Sequence, residues 1–268
     1  MLARRAILLL ALTACRPAAE PASAPPSAEP AGAPPPSAAP APSWQAIVDD
    51  PARPAEERAL DPGRKPVELL EFLDLRPGTR VADLGAGFGY TTFLLSRAVG
   101  PDGVVYAHNN TYARERFLEP KWTERLATPE FRNVVRADRE FDDPLPPEAT
   151  DLDLVINVLF YHDTFWFGTD RARMNQAVFA ALRPGGAYVI VDHSAVAGAG
   201  GSEAKTLHRV EESTVRAEVE QAGFTLAGSA EFLRNPADTR DWNAAPFAAA
   251  ERRGTADRFV LKFVKPAG

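Results

Sequence analysis

The feature that most constrains the fold is an apolar run that breaks into glycines just before a second apolar run. It spans Val81–Tyr90 and reads Val-Ala-Asp-Leu-Gly-Ala-Gly-Phe-Gly-Tyr. Glycines separated by single residues permit positive φ angles and leave no Cβ atoms between the backbone and a ligand. The pattern therefore predicts a strand, a tight turn and a helix, with a nucleotide-like ligand bound against the turn.

The N-terminal segment, residues 1–15, has the organisation of an export signal. The pair Arg4-Arg5 precedes an apolar stretch, Ala6–Leu12, and small residues lead up to Cys15. The stretch is shorter than the roughly 20 residues that a membrane-spanning helix needs. The run Leu12–Cys15 resembles a bacterial lipobox, in which the cysteine is lipidated after cleavage. Because Cys15 is the only cysteine, we expect an exported lipoprotein that is anchored in the membrane through Cys15 and faces the periplasm.

The next segment, residues 16–43, consists almost entirely of Pro, Ala, Ser and Glu. Such a composition cannot bury enough apolar surface to offset chain entropy, so we predict a disordered tether. Residues 44–268 are then expected to form a single folded domain. The net charge of −6 and the lack of long lysine or arginine runs in this domain argue against a nucleic-acid partner.

Strand patterns alternate with helical patterns along the predicted domain. The predicted strands are Thr79–Leu84, Gly103–Ala107, Asn133–Ala137, Leu152–Phe160, Ala187–Val191, Ala222–Leu226 and Arg258–Phe263. Helices are predicted within Trp44–Leu75 and over Tyr90–Val99. The alternation indicates an α/β fold with a Rossmann-like, doubly wound, mostly parallel seven-stranded sheet. Ligands of such sheets bind outside the carboxyl ends of the strands.

The glycine spacing, D-x-G-x-G-x-G-Y at Asp83–Tyr90, differs from the GxGxxG spacing that seats a dinucleotide pyrophosphate. It resembles the first motif of class I S-adenosylmethionine (SAM)-dependent methyltransferases. Further matches are Tyr161-His-Asp, Leu182-Arg-Pro-Gly-Gly, Val191-Asp-His and Leu207-His-Arg. Together they are similar to a group of predicted bacterial methyltransferases. The resemblance covers about Thr79–Val264 and implies a final antiparallel strand, S-adenosyl-L-methionine as cofactor and methyl transfer to an acceptor, for which we expect a small molecule.

The resemblance also implies which residues hold the cofactor. The first motif contributes Asp83, Gly85, Ala86, Gly87, Gly89 and Tyr90. Asn109 stands where the family usually has an acidic residue for the ribose hydroxyls, and an Asn carbonyl accepts such a bond without the strengthening charge. Asp138 is similar to the Asp that accepts a hydrogen bond from the adenine amino group, although it can also be a turn cap. Asn157 ends the apolar part of the fourth strand.

Four histidines, His108, His162, His193 and His208, lie at or beyond the predicted carboxyl ends of strands. Because imidazole titrates near neutral pH, it is suited to removing a proton from a methyl acceptor. The candidate catalytic residues are His162, Asp163, His193 and His208. We expect His108 to be structural and His208 to open the helix that follows. Asp163 and Asp192 can orient an imidazole or join it as metal ligands, but the spacing predicts no metal site.

An aromatic stretch directly follows the fourth strand, with Phe160, Tyr161, Phe165, Trp166 and Phe167. We interpret it as an apolar lid over an acceptor pocket, the alternative being ordinary packing.

Two other functions remain open. Because SAM is made in the cytoplasm, an exported domain can instead be a module that binds a nucleoside-like ligand without transferring a methyl group. Asn109 in place of an acidic residue is consistent with that function. The second alternative function is an enzyme of different chemistry that uses the His and Asp residues together with a metal ion. The sequence leaves open the acceptor and the oligomeric state.

Overall fold

The computed structural model describes residues 43–267. The predicted export signal and lipobox, and the predicted tether apart from Ser43, lie outside the described residues, and both stay predictions. The first helix begins at Trp44. Among the helices that the structure describes, none is long and apolar enough to cross a membrane.

Seven strands form one sheet. They are β1 (Arg80–Leu84), β2 (Val104–Asn109), β3 (Val134–Asp138), β4 (Leu152–Val158), β5 (Leu182–His193), β6 (Thr225–Ala230) and β7 (Arg258–Val264). Their order in the sheet is β3-β2-β1-β4-β5-β7-β6. Neighbours from β3 to β5 are parallel, and β7 is antiparallel to both β5 and β6. The predicted fold class is therefore confirmed, including the antiparallel C-terminal strand.

The helices flank this sheet. They are α1 (Trp44–Val48), α2 (Ala55–Arg58), α3 (Asp61–Arg64), α4 (Pro66–Leu73), α5 (Tyr90–Val99), α6 (Thr111–Ala113), α7 (Lys121–Leu126), α8 (Asp163–Trp166), α9 (Arg171–Ala181), α10 (Ala204–Leu207) and α11 (Glu212–Gln221). A π-helix (Arg114–Leu118) and two 3₁₀ helices (Pro129–Phe131 and Ala250–Arg252) complete the set. Helix α5 has the predicted bounds because Gly89 and Gly100, with φ values of 88° and 68°, flank it.

Both faces of the sheet are covered by apolar side chains. On one face Val81 and Val189 pack with Phe93 of α5 and with residues of α1 and α4. On the other face Leu84 packs with Val178 of α9 and with residues of α11. Covering on both faces explains why the central strands read as continuous apolar runs. The strand order reverses between β1 and β4, so the carboxyl ends of these two strands form the crevice where ligands of such folds bind.

Two strand boundaries differ from the prediction because of backbone conformation. β4 stops before Phe160 because Leu159 has a φ of 59°, which an extended strand does not allow. β6 begins at Thr225 rather than Ala222. There, Gly223 follows α11 with a φ of 104°, so the chain is still leaving the helix.

Two other strands are longer than predicted. β2 continues past Ala107 to Asn109, which pairs with Asp138 of β3. β5 begins at Leu182, which pairs with Leu152. The register between β4 and β5 then shifts, and this irregularity accommodates the Arg-Pro-Gly-Gly turn that the sequence predicts before the strand.

Candidate active site

The glycine loop joins β1 to α5 at the reversal of strand order. Gly85, Gly87 and Gly89 have φ values of 72°, 59° and 88°, so each uses the conformational freedom that the sequence indicated. A Cβ atom on Gly85 would lie 2.5 Å from Cγ of Phe160, whereas one on Gly87 would meet nothing within 4 Å. The loop therefore packs closely against one aromatic ring and leaves its middle glycine facing open space.

Most backbone amides of this loop are already hydrogen-bonded within the protein. The N–H of Gly85 donates to Nδ1 of His108 (3.4 Å) and that of Ala86 to the His108 carbonyl (2.9 Å). The N–H of Gly87 donates to Oδ1 of Asn109 (2.9 Å), and Nδ2 of Asn109 donates to the Gly87 carbonyl (3.1 Å). Asn109 thus lies beside the loop as predicted, and its side-chain amide is hydrogen-bonded to both the N–H and the carbonyl of Gly87.

His108 has the structural role that we expected. It is fully buried, and its Nε2–H donates to the Arg139 carbonyl (2.8 Å). Burial lowers the pKa of His108 to about 4, so the ring is neutral near pH 7, as an imidazole that donates from Nε2 and accepts at Nδ1 must be. His108 therefore ties the glycine loop to the segment after β3.

Asp83 lies beneath the loop, at the N-terminus of α5. Its buried Oδ2 accepts a hydrogen bond from Oγ1 of Thr92 (2.6 Å). Burial raises the pKa of Asp83 to about 6, and hydrogen bonding to Thr92 opposes that rise. A helix N-terminus attracts negative charge, and here a side chain of the protein supplies that charge.

Arg64 is a candidate binding residue that the sequence did not reveal. It ends α3, and its guanidinium lies 4.4 Å from the ring centroid of Tyr90. With Leu159 and Val191 these residues line a small cavity next to the glycine loop. Arg64 forms no salt bridge with any residue between 43 and 267. Burial lowers the pKa of Arg64, but the group stays cationic near neutral pH and is suited to bind a carboxylate.

The other predicted cofactor residues lie at the same edge but differ in environment. Tyr90 begins α5 and its hydroxyl donates to Oδ1 of Asp61 (2.6 Å). Asp138 ends β3 with an exposed side chain that accepts from Nε of Arg136 (2.7 Å). Asn157 is fully buried in β4, and neither amide atom has a hydrogen-bond partner among the described residues.

Three of the four predicted catalytic residues, His162, Asp163 and His208, converge with Asp192 of β5, and we call these four residues the His/Asp cluster. Oδ1 of Asp192 accepts from Nδ1–H of His162 (2.7 Å), and Oδ2 accepts from the His162 backbone N–H (2.7 Å). Nε2 of His162 lies 3.2 Å from Nδ1 of His208, and Oδ1 of Asp163 lies 3.4 Å from each of these nitrogens. Residues far apart in sequence therefore form one polar group.

Charges within the cluster shift its pKa values. Burial acts to lower the pKa of His162, but Asp192 and Asp163 outweigh it and raise the pKa to about 9. Burial acts to raise the pKa of Asp163, but His162 and hydrogen bonds lower it below its ordinary value. Without another cation in the cluster, His162 is therefore protonated near neutral pH, beside two carboxylates.

His193 is next to the cluster but outside it. It ends β5, and its ring centroid lies 6.0 Å from that of His162. Burial, together with the charge of His162, lowers the pKa of His193 well below its ordinary value. Its Nδ1 has no hydrogen-bond partner within the described part of the chain. His193 is therefore a neutral, buried imidazole near pH 7.

The prediction that His208 opens a helix is wrong. His208 ends α10 with φ 52° and ψ 51°, and the next helix starts at Glu212. The chain turns there because the following residue, Arg209, is fully buried: its Nη1 lies 2.8 Å from Oδ2 of Asp238 and donates to the Ser194 carbonyl (3.0 Å). This anchoring holds the His208 backbone in a conformation that a non-glycine residue seldom adopts.

The aromatic stretch after β4 divides between the core and the site. Tyr161 is fully buried, and its hydroxyl donates to Oε2 of Glu218 (2.8 Å). Because this hydrogen bond holds Tyr161 in the core, the prediction that it belongs to a lid is wrong. Phe160 covers the glycine loop and stacks on Phe141 at 4.9 Å. Trp166 donates from Nε1 to Oδ1 of Asp163 (2.7 Å). The segment therefore connects the loop with the His/Asp cluster.

Comparison with known proteins places this chain among methyltransferases in its fold and in part of its sequence. Residues 65–117 match the family model of protein-L-isoaspartate(D-aspartate) O-methyltransferase. The protein-L-isoaspartate O-methyltransferase of Aeropyrum pernix is 46% identical over 52 residues, which cover 18% of this chain and 20% of the relative. The arsenite methyltransferase of Halobacterium salinarum is 30% identical over 122 residues, 45% of this chain and 29% of the relative. The chain thus spans less than a third of either relative.

Solved structures extend the likeness to most of the fold. A SAM-dependent methyltransferase from Aquifex aeolicus has a TM-score of 0.53 and 18% identity, covering 80% of this chain and 98% of that one. One from Mesorhizobium loti has a TM-score of 0.50 and 18% identity, covering 74% and 96%. Together with the family match, these structures support S-adenosyl-L-methionine as the cofactor. The chain therefore has the Rossmann-like α/β fold of class I SAM-dependent methyltransferases, and its glycine-loop segment resembles their sequences.

Proposed function

We propose that this protein transfers a methyl group from SAM to an acceptor held beyond β4 and β5, beside the His/Asp cluster. The observation that carries the proposal is the glycine loop with Asp83 at the N-terminus of α5. A dinucleotide fold leaves that helix end to a pyrophosphate. Here the Asp83 carboxylate occupies it, so the loop suits a nucleoside-like ligand without phosphate groups, as SAM is.

The residues around the loop fit such a cofactor. The open side of Gly87 leaves room for a ligand against the backbone. Arg64, which has no salt bridge in the described structure, would hold the carboxylate of the methionine part. Phe160 and Asn109 now contact the loop, and a ligand there would replace part of these contacts.

When bound, SAM supplies a methyl group on a positively charged sulfur. Alignment of two bound reactants can contribute about 7–11 kcal/mol to such a transfer. The protein's own residues would remove the proton from the acceptor. Nδ1 of His193 has no hydrogen-bond partner among the described residues, so it is the imidazole nitrogen placed to accept that proton. Burial and the charge of His162 lower the pKa of His193, so its ring is neutral before the acceptor binds. As long as no metal ion occupies the cluster, His162, whose pKa is raised to about 9, holds a proton and can orient the acceptor.

We propose a small molecule as the acceptor. The relatives are named for protein isoaspartate and for arsenite, so an isoaspartyl peptide and arsenite belong in any panel of acceptors alongside small alcohols, thiols and amines. Methylation of the isoaspartyl peptide but of no small molecule would contradict the proposed acceptor class.

A second candidate is binding of a nucleoside-like ligand without methyl transfer. It is favoured by Asn109, which uses both amide atoms on Gly87 and brings no charge to a ribose. Binding of SAM without turnover on the acceptor panel would favour this candidate.

We also propose that the protein is an exported lipoprotein, anchored through Cys15 and carried on a disordered tether. The support is the order of an arginine pair, an apolar stretch and a lipobox-like run before the only cysteine. Cys15→Ser should abolish lipid labelling and recovery in the membrane fraction. Unchanged labelling would contradict the anchor.

The test of the methyltransferase proposal is calorimetric titration of the chain with S-adenosylhomocysteine, the demethylated product. We expect micromolar binding that is lost in Asp83→Ala, because the loop loses its anchor at α5. Asp102→Ala, which removes an exposed carboxylate, is the matched control and should bind normally. No binding by the folded wild-type chain would refute the proposal.

A further inference from the structure

Three potential metal ligands converge within the His/Asp cluster. Nε2 of His162 and Nδ1 of His208 are 3.2 Å apart, and Oδ1 of Asp163 is 3.4 Å from each. In a tetrahedral zinc site with metal–ligand bonds of about 2.0–2.2 Å, neighbouring ligand atoms are about 3.3–3.6 Å apart. The three atoms therefore form a triangle close in size to one face of that tetrahedron.

We propose that His162, Asp163 and His208 bind a zinc-type divalent metal ion, with a fourth coordination position left open. Three protein ligands and one open position are typical of catalytic rather than structural zinc. Two imidazoles and one carboxylate suit transition metals, whereas magnesium and calcium prefer oxygen ligands.

Asp192 prepares His162 for this role. Its carboxylate accepts Nδ1–H of His162 at 2.7 Å, so the other ring nitrogen, Nε2, is the one directed at Asp163 and His208. A metal-binding histidine usually donates its second N–H to a carboxylate or carbonyl, which sets the tautomer and the ring orientation. Asp192 is itself fully buried and accepts two backbone N–H groups, from His162 and His193 (both 2.7 Å), which hold it in place.

The backbone also holds the third ligand in position. His208 adopts a left-handed conformation, with φ 52°, and such strain persists only where the surroundings enforce it. The buried Arg209–Asp238 pair, at 2.8 Å, supplies that enforcement. Side chains of Asp163 and His208 are 14% and 15% exposed, against 4% for His162, so an ion can reach the triangle from solvent.

A hydrogen bond accounts for the His162–His208 side of the triangle, at 3.2 Å, but hydrogen bonds account less well for its two sides at Asp163. Charge-assisted bonds to a carboxylate are usually about 2.7–2.9 Å long, and Asp163 has such a bond from Nε1 of Trp166 at 2.7 Å. Its two distances to the imidazoles are both 3.4 Å. Three nearly equal separations are expected when the atoms surround a common centre.

This metal site is an addition to the proposed methyl transfer, because its three ligands are not among the residues proposed to bind SAM. A bound zinc ion lowers the pKa of a water, hydroxyl or thiol at its open position. If the proposed function holds, the preferred acceptor is accordingly a group that must lose a proton, an alcohol or a thiol.

The test is titration of the chelator-treated chain with Co²⁺, followed by Zn²⁺. We expect one Co²⁺ ion per chain, the intense visible absorption of a four-coordinate site, and loss of that absorption when Zn²⁺ displaces it. His208→Asn and Asp163→Asn should abolish the signal. Asn is chosen at position 208 because it tolerates the left-handed backbone. Asp143→Asn, at an exposed aspartate, is the matched control and should retain the Co²⁺ absorption. Asp192→Asn should weaken Zn²⁺ binding about 10- to 100-fold.

The proposal is overturned if the folded wild-type chain binds no Co²⁺, if it shows the weak spectrum of six-coordination, or if His208→Asn binds as tightly as wild type. Circular dichroism spectra show whether each variant is folded. If a variant does not fold, the spectrum of the wild-type chain alone decides between the outcomes. Titration with S-adenosylhomocysteine on the same samples reports separately on the cofactor site, so failure of the metal site is distinguishable from failure of the proposed function.

Discussion

Asp83 makes stability depend on pH in a direction opposite to that of most carboxylates. Burial raises its pKa from 3.8 to about 6. Between these pH values the folded state binds more protons than the unfolded state, so the free energy of unfolding falls as pH rises. A shift of about two pKa units corresponds to about 3 kcal/mol once the group is ionised in both states.

Asp83→Asn removes this titration and keeps an oxygen that can accept the hydrogen bond from Thr92. The free energy of unfolding of the variant, minus that of wild type, should therefore increase by about 2 kcal/mol between about pH 4.5 and about pH 8. The other titrating groups are common to both proteins and cancel in the difference. Urea denaturation of both proteins at the two pH values measures it.

The matched control is Asp102→Asn, at an exposed carboxylate, for which the difference should not change with pH. A second variant, Thr92→Val, removes the 2.6 Å hydrogen bond that favours the ionised form. The fall in stability of that variant should extend to higher pH. An Asp83→Asn difference that is independent of pH, or that becomes smaller towards pH 8, would refute the reasoning.

Arg64→Gln is expected to weaken binding of S-adenosylhomocysteine about tenfold or more, because a charge-assisted bond to the ligand carboxylate is lost; calorimetry measures it against Arg216→Gln on the exposed side of α11. Asn109→Asp is expected to lower the free energy of unfolding by about 1–3 kcal/mol without ligand, because the donor to the loop carbonyl is lost; urea denaturation measures it. Phe160→Leu is expected to strengthen binding of S-adenosylhomocysteine several-fold, because the ligand displaces the smaller side chain from Gly85 more easily; calorimetry measures this as well.

Each of these expectations has a contrary outcome. Equal affinity of the two arginine variants would remove Arg64 from the binding site. Unchanged stability of Asn109→Asp would mean that its bonds to the loop contribute little. Weaker binding by Phe160→Leu would mean that the ring supports the ligand instead of competing with it.

The fold could be predicted from the sequence because apolar runs of strand length alternate with helical patterns, and a sheet covered on both faces requires that alternation. Two of the boundary errors arose from backbone conformations that residue type does not reveal. Leu159 and His208 have φ values of 59° and 52°, although neither is glycine, and each ends a strand or helix. Their tertiary surroundings stabilise these conformations, and no local pattern signals them.

The residues of the candidate site could be named from several segments of the sequence, but their contacts could be predicted only where a single segment contains them. The glycine loop and Asp83 are close in sequence, so their spacing reveals them. His162 and His208 are separated by 46 residues, and their contact depends on the turn that the Arg209–Asp238 pair maintains. Arg64 precedes the motif by many residues and has no recognisable spacing to it, so only the folded chain shows that it lies beside Tyr90.

Charge supports the choice of ligand for the glycine loop more directly than spacing does. A glycine-rich turn before a helix suits any ligand that approaches the backbone closely, so the pattern alone admits dinucleotides and SAM alike. The N-terminus of α5 already holds the Asp83 carboxylate, and the N–H groups of Gly85, Ala86 and Gly87 already have acceptors. A pyrophosphate would find negative charge and few free donors. A cofactor with a sulfonium charge and a carboxylate within reach of Arg64 meets neither obstacle, so the same residues that exclude the first ligand favour the second.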